Sequence, residues 1–228
     1  MSNFPIKIYQ KIHSNTPKNK AYGLSSPSDS KKFYDEWAPR YDTDFYNDID
    51  RENYGYPKKL ADIYFSLANR KNTPIADIGC GTGALGKHFK GTNFVIDGFD
   101  ISSGMLIEAR KKRYYRNLYE CDITKSKDLP KEKYRGLISC GAFTFGHLGP
   151  LYLSGVVGML KKGGLGVIGV NKEYFITCSF ENEIFSLKAS GVIKNLRFYE
   201  EPTDSKKTGE DLRKLKDAEI NKMFVFAV

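Results

Sequence analysis

The chain has 228 residues, of which 40% are hydrophobic and 28% are charged, and its formal net charge is +9. This length suits one domain with a sizeable hydrophobic core and a few additional segments, so a separate substrate domain is not expected. The longest apolar runs, such as 165–170, are only strand-sized, and the amino terminus lacks the apolar stretch of a secretory signal. We therefore expect a cytoplasmic protein that does not enter a membrane.

The cysteines give no sign of a disulfide framework or a metal site. They stand singly in apolar segments, without C-x-x-C spacing and without clustered histidines. We expect buried free thiols and no bound metal. The residues concerned are Cys80, Cys121, Cys140 and Cys178.

The amino-terminal part of the chain predicts an arm followed by a helical lid. Residues 1–30 are rich in Ser, Asn, Pro and Lys without a sustained period, which indicates a mobile arm or one laid over the surface. Residues 31–70 show helical spacing, and Pro39 is expected to divide the first stretch into two short helices. The aromatic face of that stretch consists of Phe33, Trp37 and Tyr41, and the apolar stripe of the second helix of Leu60, Ile63, Tyr64 and Leu67.

Residues 71–228 alternate strand and helix patterns, which predicts a parallel sheet with right-handed crossovers. The last predicted strand should enter antiparallel beside the sixth. The predicted strands are 74–79, 93–99, 117–121, 134–140, 164–170, 192–200 and 219–227, and the predicted helices lie near 83–90, 102–111, 150–161, 181–190 and 208–215.

A glycine-rich turn follows the first of these strands. It reads D-I-G-C-G-T-G over residues 77–83, and Asp100 closes the second strand about twenty positions later. Glycines at a strand-to-helix turn let the backbone pass close to a ligand. A carboxylate at the end of the next strand can accept both hydroxyls of a ribose. The pattern therefore predicts a nucleoside-binding site.

Two cofactors fit such a site. Residues 81–86 satisfy the G-x-G-x-x-G dinucleotide pattern, which alone is weak evidence. Asp77 and Gly79 favour S-adenosylmethionine, because a carboxylate there would face a pyrophosphate with like charge but suits an ammonium and a sulfonium. NAD, or glycines that only make a tight turn, stay as alternatives.

Three segments in the expected order resemble the class I S-adenosylmethionine-dependent methyltransferases across residues 31–228. The resemblance implies an α/β, Rossmann-like fold with a seven-stranded mixed sheet whose last strand is antiparallel. Helices are expected on both faces of this sheet. The fold would be a single domain with an N-terminal helical lid. The segments are F-Y-D-E-W-A-P-R-Y-D at 33–42, similar to the "YDxWAxxYD" of the small-molecule branch, F-D-I-S-S-G-M-L at 99–106 and L-K-K-G-G at 160–164.

A closer resemblance is to the methyltransferase-like protein 27 (Williams–Beuren region) group and its bacterial relatives. It rests on residues 141–150, G-A-F-T-F-G-H-L-G-P, which are similar to that group's "GxFTxGHxxP" segment. The resemblance does not supply a substrate.

The class I resemblance implies a role for each residue of the glycine turn. Gly79, Gly81 and Gly83 would line the methionine portion of the cofactor. Asp77 would lie near its ammonium group, directly or through water, and Asp100 would bind the ribose hydroxyls.

The adenine ring would be held by residues that follow the second and third strands. Ile101 would pack on the ring, Ile123 would lie beside it, and Asp122 would accept a hydrogen bond from the adenine amino group. Asp122 could instead only cap the following turn. The other predicted cofactor contacts are Tyr34, Trp37, Tyr41, Cys80, Met105, Cys121 and Cys140.

Methyl transfer from a sulfonium is an in-line displacement, so the enzyme mainly aligns the nucleophile and excludes water. A base is needed only when the acceptor arrives protonated. His147 is the candidate, because it follows a central strand at the edge of the sheet where ligands bind; it could instead cap the helix that begins near Pro150. The lid aromatics could line the substrate cavity, or they could only pack against one another to hold the lid helix in place. These aromatics are Tyr34, Trp37 and Tyr41.

Missing signatures narrow the acceptor. Residues 139–142, S-C-G-A, lack the Asn/Asp-Pro-Pro-aromatic signature for exocyclic amines. Cys80 and Cys140 lack the setting for covalent activation of a pyrimidine. We expect a small organic acceptor with an O, N or S nucleophile, enclosed by residues 1–56 and by the loops at 143–148 and 171–180. The protein is expected to be a monomer or a homodimer.

The positive charge raises the question of nucleic acid. The densest cluster, R-K-K-R-Y-Y-R at 110–116, falls at the end of a predicted helix, where cations suit the helix dipole. Nucleic acid is therefore disfavoured as a partner. An RNA methyltransferase that uses residues 110–116 stays an alternative, as does a cofactor-binding relative without transferase activity.

Overall fold

The computed structural model describes residues 17–48, 55–203, 207 and 209–228. The strands in this part of the chain are β1 (Ile75–Ile78), β2 (Ile96–Asp100), β3 (Asn117–Glu120), β4 (Tyr134–Phe143), β5 (Leu160–Asn171), β6 (Lys194–Pro202) and β7 (Ile220–Ala227). The α-helices are α1 (Pro17–Ala21), α2 (Pro27–Asp48), α3 (Tyr56–Leu67), α4 (Ser103–Lys112), α5 (Leu153–Val157), α6 (Lys172–Thr177) and α7 (Phe180–Ala189).

The strands form one mixed sheet in the order β3-β2-β1-β4-β5-β7-β6. Strands β1 to β5 pair in parallel, whereas β7 pairs antiparallel with both β5 and β6 and so lies between them. The predicted mixed sheet with an antiparallel last strand is confirmed. Because the carboxyl ends of parallel strands share one edge, the segments after β1, β2, β3 and β4 meet there.

Apolar residues cover the sheet on both faces, as predicted. Leu60 and Tyr64 of α3 pack on one face with Ile75 and Ile138 of the sheet. The opposite face packs against α5, α6 and α7, for example through Phe180. Helices on both faces leave only the strand ends open to a ligand.

The lid differs from its prediction. Pro39 lies inside α2, which runs unbroken from Pro27 to Asp48, so the predicted division into two helices is wrong. A proline inside a helix removes one hydrogen bond, and contacts of α2 with α4 hold the helix together on both sides of it. The predicted boundary between arm and lid falls within this helix, and α1 begins at Pro17. Residues 1–16 lie outside the described residues.

Three predicted helices are shorter than expected. Residues 83–90 form only a 3-10 turn at Gly86–Phe89, and 208–215 contain a 3-10 turn at Leu212–Lys214. In 150–161, glycines weaken the helix, which is limited to α5. Across the described part of the chain, no helix combines the length and apolarity needed to cross a membrane.

Candidate active site

A cavity of about 670 Å³ opens at the carboxyl edge of the sheet, under α2. Its walls include every predicted site residue except Gly83. These residues are Tyr34, Trp37, Tyr41, Asp77, Gly79, Cys80, Gly81, Asp100, Ile101, Met105, Cys121, Asp122, Ile123, Cys140 and His147. The predicted site is therefore one place in the fold, although its segments are far apart in sequence.

The glycine turn after β1 is closely packed and tied to Asp100. Gly79 has φ +67°, and a Cβ on it would lie 2.4 Å from the Cβ of Ala142. The backbone N–H of Gly81 donates to Asp100 Oδ2 at 2.8 Å, and that of Ser102 donates to Oδ1 at 2.9 Å. Burial raises the pKa of Asp100. Each carboxylate oxygen keeps a further lone pair for a ligand hydroxyl.

Asp77 lies buried beneath the turn and is bound by a tyrosine that the sequence analysis did not single out. Tyr115 Oη donates to Asp77 Oδ2 at 2.8 Å. Burial raises the pKa of Asp77 to about 7, the hydrogen bond from Tyr115 opposes this rise, and the charge of Asp100 adds to it. Asp77 is therefore poised to change its charge near neutral pH when a cation approaches.

The second half of the glycine pattern makes room for Tyr115. A Cβ on Gly86 would lie 2.5 Å from the Tyr115 ring, and one on Gly83 would lie 3.1 Å from it. Gly83 is therefore turned toward a protein side chain and is not part of the cavity wall. The G-x-G-x-x-G match at 81–86 thus has a packing explanation in this chain.

Asp122 caps the turn that follows β3 and also lines the cavity. Its Oδ1 accepts hydrogen bonds from the backbone N–H of Thr124 at 3.0 Å and from its hydroxyl at 2.6 Å. These bonds cap the following turn. The residue nevertheless lines the cavity beside Ile123, and Lys125 Nζ is 3.7 Å from Oδ2. The bonds to Thr124 fix the orientation of the carboxylate, which keeps lone pairs for a further donor.

Two carboxylates of α2 fasten the lid to the glycine turn and to the segment that follows β2. Asp35 accepts hydrogen bonds from Ser102 Oγ at 2.7 Å and from Gly104 N at 2.9 Å. Asp42 accepts a hydrogen bond from Thr82 in the glycine turn. Neither carboxylate was among the predicted site residues, although their seven-residue spacing puts both on the same side of a helix.

The aromatic residues of α2 both wall the cavity and pack on one another. The ring centroids of Tyr34 and Trp37 are 6.0 Å apart, and those of Trp37 and Tyr41 are 4.7 Å apart. Trp37 Nε1 donates to Asp44 at 2.9 Å. The same aromatic side chains therefore line the cavity and hold the lid helix together by packing on one another.

His147 faces the lid. It does not cap the turn that begins at Pro150, because no side chain accepts a hydrogen bond at the start of that turn. Its Nδ1 is 2.7 Å from the carbonyl oxygen of Phe145, and its Nε2 is 2.7 Å from Tyr34 Oη. A carbonyl only accepts, so Nδ1 carries the hydrogen. Burial lowers the pKa of His147, so the ring is neutral and Nε2 accepts from the Tyr34 hydroxyl.

Two cations of the basic segment at 110–116 bind carboxylates elsewhere in the fold. Arg116 binds the buried Asp97 through Nε at 2.9 Å and Nη2 at 2.6 Å. Lys112 pairs with Asp42 of the lid. Arg110, Lys111 and Arg113 are exposed.

Comparison with known proteins identifies the domain. The sequence profile of a methyltransferase domain family matches residues 75–164, which include β1 to β4 and the glycine turn. Residues 75–164 are a methyltransferase domain. The match agrees with the prediction of S-adenosylmethionine as the cofactor and disagrees with the NAD alternative.

Human methyltransferase-like protein 27 is 28% identical to the chain over 149 residues, which cover 64% of this chain and 59% of the human protein. The aligned region therefore spans less than two thirds of that relative. The match agrees with the resemblance of residues 141–150 to that group.

Two solved structures share the fold of the methyltransferase domain. One is a methyltransferase from Thermotoga maritima described as a possible histamine N-methyltransferase, with a TM-score of 0.57 and 14% identity, covering 85% of this chain and 97% of that one. The other is phosphoethanolamine N-methyltransferase 2 from Haemonchus contortus in complex with S-adenosyl-L-methionine, with a TM-score of 0.59 and 16% identity, covering 90% and 60%. At these identities the likeness concerns the fold alone.

Proposed function

We propose that the domain transfers a methyl group from S-adenosylmethionine to an O, N or S nucleophile of a small organic molecule in the cytoplasm. One observation carries the proposal: a single cavity holds the cofactor residues at one end and the Tyr34–His147 pair under the lid. A volume of about 670 Å³ is in the range of small-molecule sites. A lid fastened at Asp35 and Asp42 restricts the opening to small acceptors.

The residues of the cavity fit this cofactor. The backbone of Gly81 approaches a ligand without a Cβ, and Asp100 beside it offers lone pairs to ribose hydroxyls. Asp77 supplies a carboxylate for the ammonium group, and the apolar side chains of Ile101 and Ile123 in the cavity wall suit an adenine ring. When bound, the cofactor supplies an electrophilic methyl group on a sulfonium.

The protein's own contribution to the chemistry is a proton route. Because His147 Nε2 accepts from Tyr34, the Tyr34 oxygen can itself accept a proton from the acceptor group as its own proton moves to Nε2. His147 then becomes the imidazolium, which the Phe145 carbonyl stabilises through Nδ1. Burial keeps the pKa of Tyr34 well above its usual value, so the phenol is protonated at rest.

The test begins with calorimetric titration of the purified protein with S-adenosylmethionine, S-adenosylhomocysteine and NAD. We expect both sulfur nucleosides to bind and NAD not to bind. A screen of small O, N and S nucleophiles with a labelled methyl group on the cofactor should then give a methylated product. NAD binding alone would overturn the cofactor assignment, and tight cofactor binding without transfer to any acceptor would support the non-methylating alternative.

The Asp77–Tyr115 pair predicts a pH dependence of cofactor binding. Asp77 has a pKa of about 7, and an ammonium group favours its ionised form, so affinity for S-adenosylhomocysteine should rise with pH through 7. Below that value the affinity should fall by up to about tenfold per pH unit. Tyr115→Phe removes the donor that lowers the pKa of Asp77, so the profile should move to higher pH. Calorimetry across pH 6 to 8 measures it.

Tyr114→Phe is the matched control, because the neighbouring tyrosine makes no contact with Asp77 in the described structure. It should leave the profile unchanged. Asp77→Asn should flatten the profile at a lower affinity. A wild-type affinity that does not change between pH 6 and 8 would contradict the role of Asp77.

The RNA alternative is tested at the exposed cations of the basic segment. The triple variant Arg110→Gln, Lys111→Gln, Arg113→Gln leaves the pairs of Lys112 and Arg116 intact. Under the proposed function its turnover of a small acceptor should stay within about twofold of wild type, because surface substitutions are usually small in effect. A salt-dependent loss of RNA binding together with loss of transfer to RNA would favour the alternative.

A further inference from the structure

The cavity continues past the Tyr34–His147 pair to the junction of β5, β6 and β7. Asn171 ends β5 and pairs in register with Asn221 near the start of β7, and Thr203 follows β6. All three line the cavity. This end is separate from the carboxylates of the cofactor end, so it is available to the methyl acceptor.

Two polar atoms at this end lack protein partners within the described residues. They are Asn221 Nδ2 and Thr203 Oγ1. Asn221 is only 5% exposed, and a buried donor without an acceptor is costly to a fold. Asn171 differs, because its Nδ2 donates to the Ala218 carbonyl and its Oδ1 accepts from the Tyr174 N–H. Of the two asparagines that line this end of the cavity, Asn171 has its amide group bound by the fold, whereas the amide nitrogen of Asn221 is left without an acceptor among the described residues.

The charge of the wall restricts what that ligand can be. Among the described residues that line the cavity there is no lysine or arginine, although the chain carries a net charge of +9. The ionisable acids of the wall lie toward the cofactor end, for example Asp77 and Asp100. The lysines that neighbour these asparagines in sequence, Lys172 and Lys222, do not line the cavity and are both paired with Glu200. A phosphate or carboxylate at the far end would therefore find no free counter-ion among the described residues, which is unfavourable for a buried charge. An uncharged oxygen meets no such penalty.

We propose that Asn221 and Thr203 form the recognition subsite for the methyl acceptor, and that they bind an uncharged carbonyl oxygen, as in an amide or a ketone. Asn221 Nδ2 donates one hydrogen bond to this oxygen, and the Thr203 hydroxyl donates a second. Rotation of the hydroxyl lets Thr203 adapt to the position of the oxygen. The subsite rests on the proposed function, since it orients the acceptor's nucleophile toward Tyr34 and the methyl group.

The experiment uses nuclear magnetic resonance of the full ¹⁵N-labelled chain, titrated with N-methylacetamide and, separately, with inorganic phosphate. The side-chain amide signals of Asn221 are identified by their loss in Asn221→Leu. We expect N-methylacetamide to shift these signals saturably, to shift those of Asn171 less, and phosphate to shift neither. Asn221→Leu should weaken the affinity for N-methylacetamide by about fivefold, as one neutral hydrogen bond implies. Asn182→Leu, on the exposed start of α7, is the matched control and should not change it.

The outcomes separate the subsite from the proposed function. Unmoved Asn221 signals, equal affinity in Asn221→Leu, or a shift caused by phosphate would each overturn the subsite. Thr203→Val, which keeps the shape of the side chain, gives the same decision if Asn221→Leu does not fold. Failure of S-adenosylhomocysteine to bind in calorimetry would overturn the proposed function. The titration of the chain with N-methylacetamide needs no cofactor, so it would still show whether Asn221 binds a carbonyl oxygen.

Discussion

Asp100→Ala should abolish measurable binding of S-adenosylmethionine and S-adenosylhomocysteine. The substitution removes the only group that we assign to the ribose hydroxyls, and hydrogen bonds to a charged group contribute about 1.5–3 kcal/mol each. Loss of two such bonds weakens affinity by about a hundredfold or more. It also releases the Gly81 and Ser102 N–H groups that Asp100 now binds. Calorimetry with both nucleosides measures the loss, and circular dichroism checks that the fold persists.

Glu120→Ala is the matched control for Asp100→Ala. Glu120 ends β3 directly beside Asp100 in the register of β2 and β3, yet its side chain is half exposed and ion-pairs with Lys31. Removing this carboxylate tests whether any acidic residue at the sheet edge supports binding. Affinity within about twofold of wild type is expected, because exposed ion pairs contribute little. If Asp100→Ala bound the cofactor as tightly as Glu120→Ala does, the ribose assignment would be wrong.

The residues of the cavity that could be predicted best from the sequence lie in short stretches next to strand ends. The turn at 77–83 and Asp100 each follow an apolar strand, and parallel strands must bring such ends together. The seven strands could be predicted because alternation and turn residues are local signals. The antiparallel direction of β7 was instead an expectation from the resemblance to methyltransferase sheets. The cavity wall then contained every predicted residue but Gly83.

Contacts that join distant segments were not predictable from patterns. Tyr115 belongs to a segment that charge alone marks as a surface feature, and only the packing against Gly86 brings its hydroxyl to Asp77. Asn221 stands in a strand whose partner order decides which face it occupies. Both side chains are placed by tertiary pairing, for which a single sequence carries no direct signal.

Pro39 shows the same limit at the level of one helix. Local propensity predicts a break there, because proline lacks an N–H and its ring disturbs the preceding turn. The helix continues because Asp35 before the proline and Asp42 after it are both bound to loops of the domain. Tertiary hydrogen bonds therefore outweigh the propensity of a single residue, and they do so in the helix that closes the proposed active site.

His147→Ala should lower turnover by about 10²-fold to 10⁴-fold with an acceptor that binds in its protonated form, because that is the usual contribution of a general base. Tyr34→Phe interrupts the same route at its first oxygen, so the two losses should not add in the double variant. The pKa of His147 is lowered by burial, so wild-type turnover should decline only as the pH falls below the ordinary histidine range. Initial rates across pH, with cofactor affinity measured alongside, distinguish this loss from weaker binding.

His88→Ala is the control for His147→Ala, since burial also lowers the pKa of His88 but that residue is not part of the cavity wall. Its turnover and pH profile should match wild type. An unchanged profile for His147→Ala over the whole pH range would remove the proton route. Tyr34 and His147 would then act only by closing the lid on the acceptor, which predicts a raised KM at constant kcat in both variants. A fall in kcat at constant KM would instead assign the pair to the transfer step.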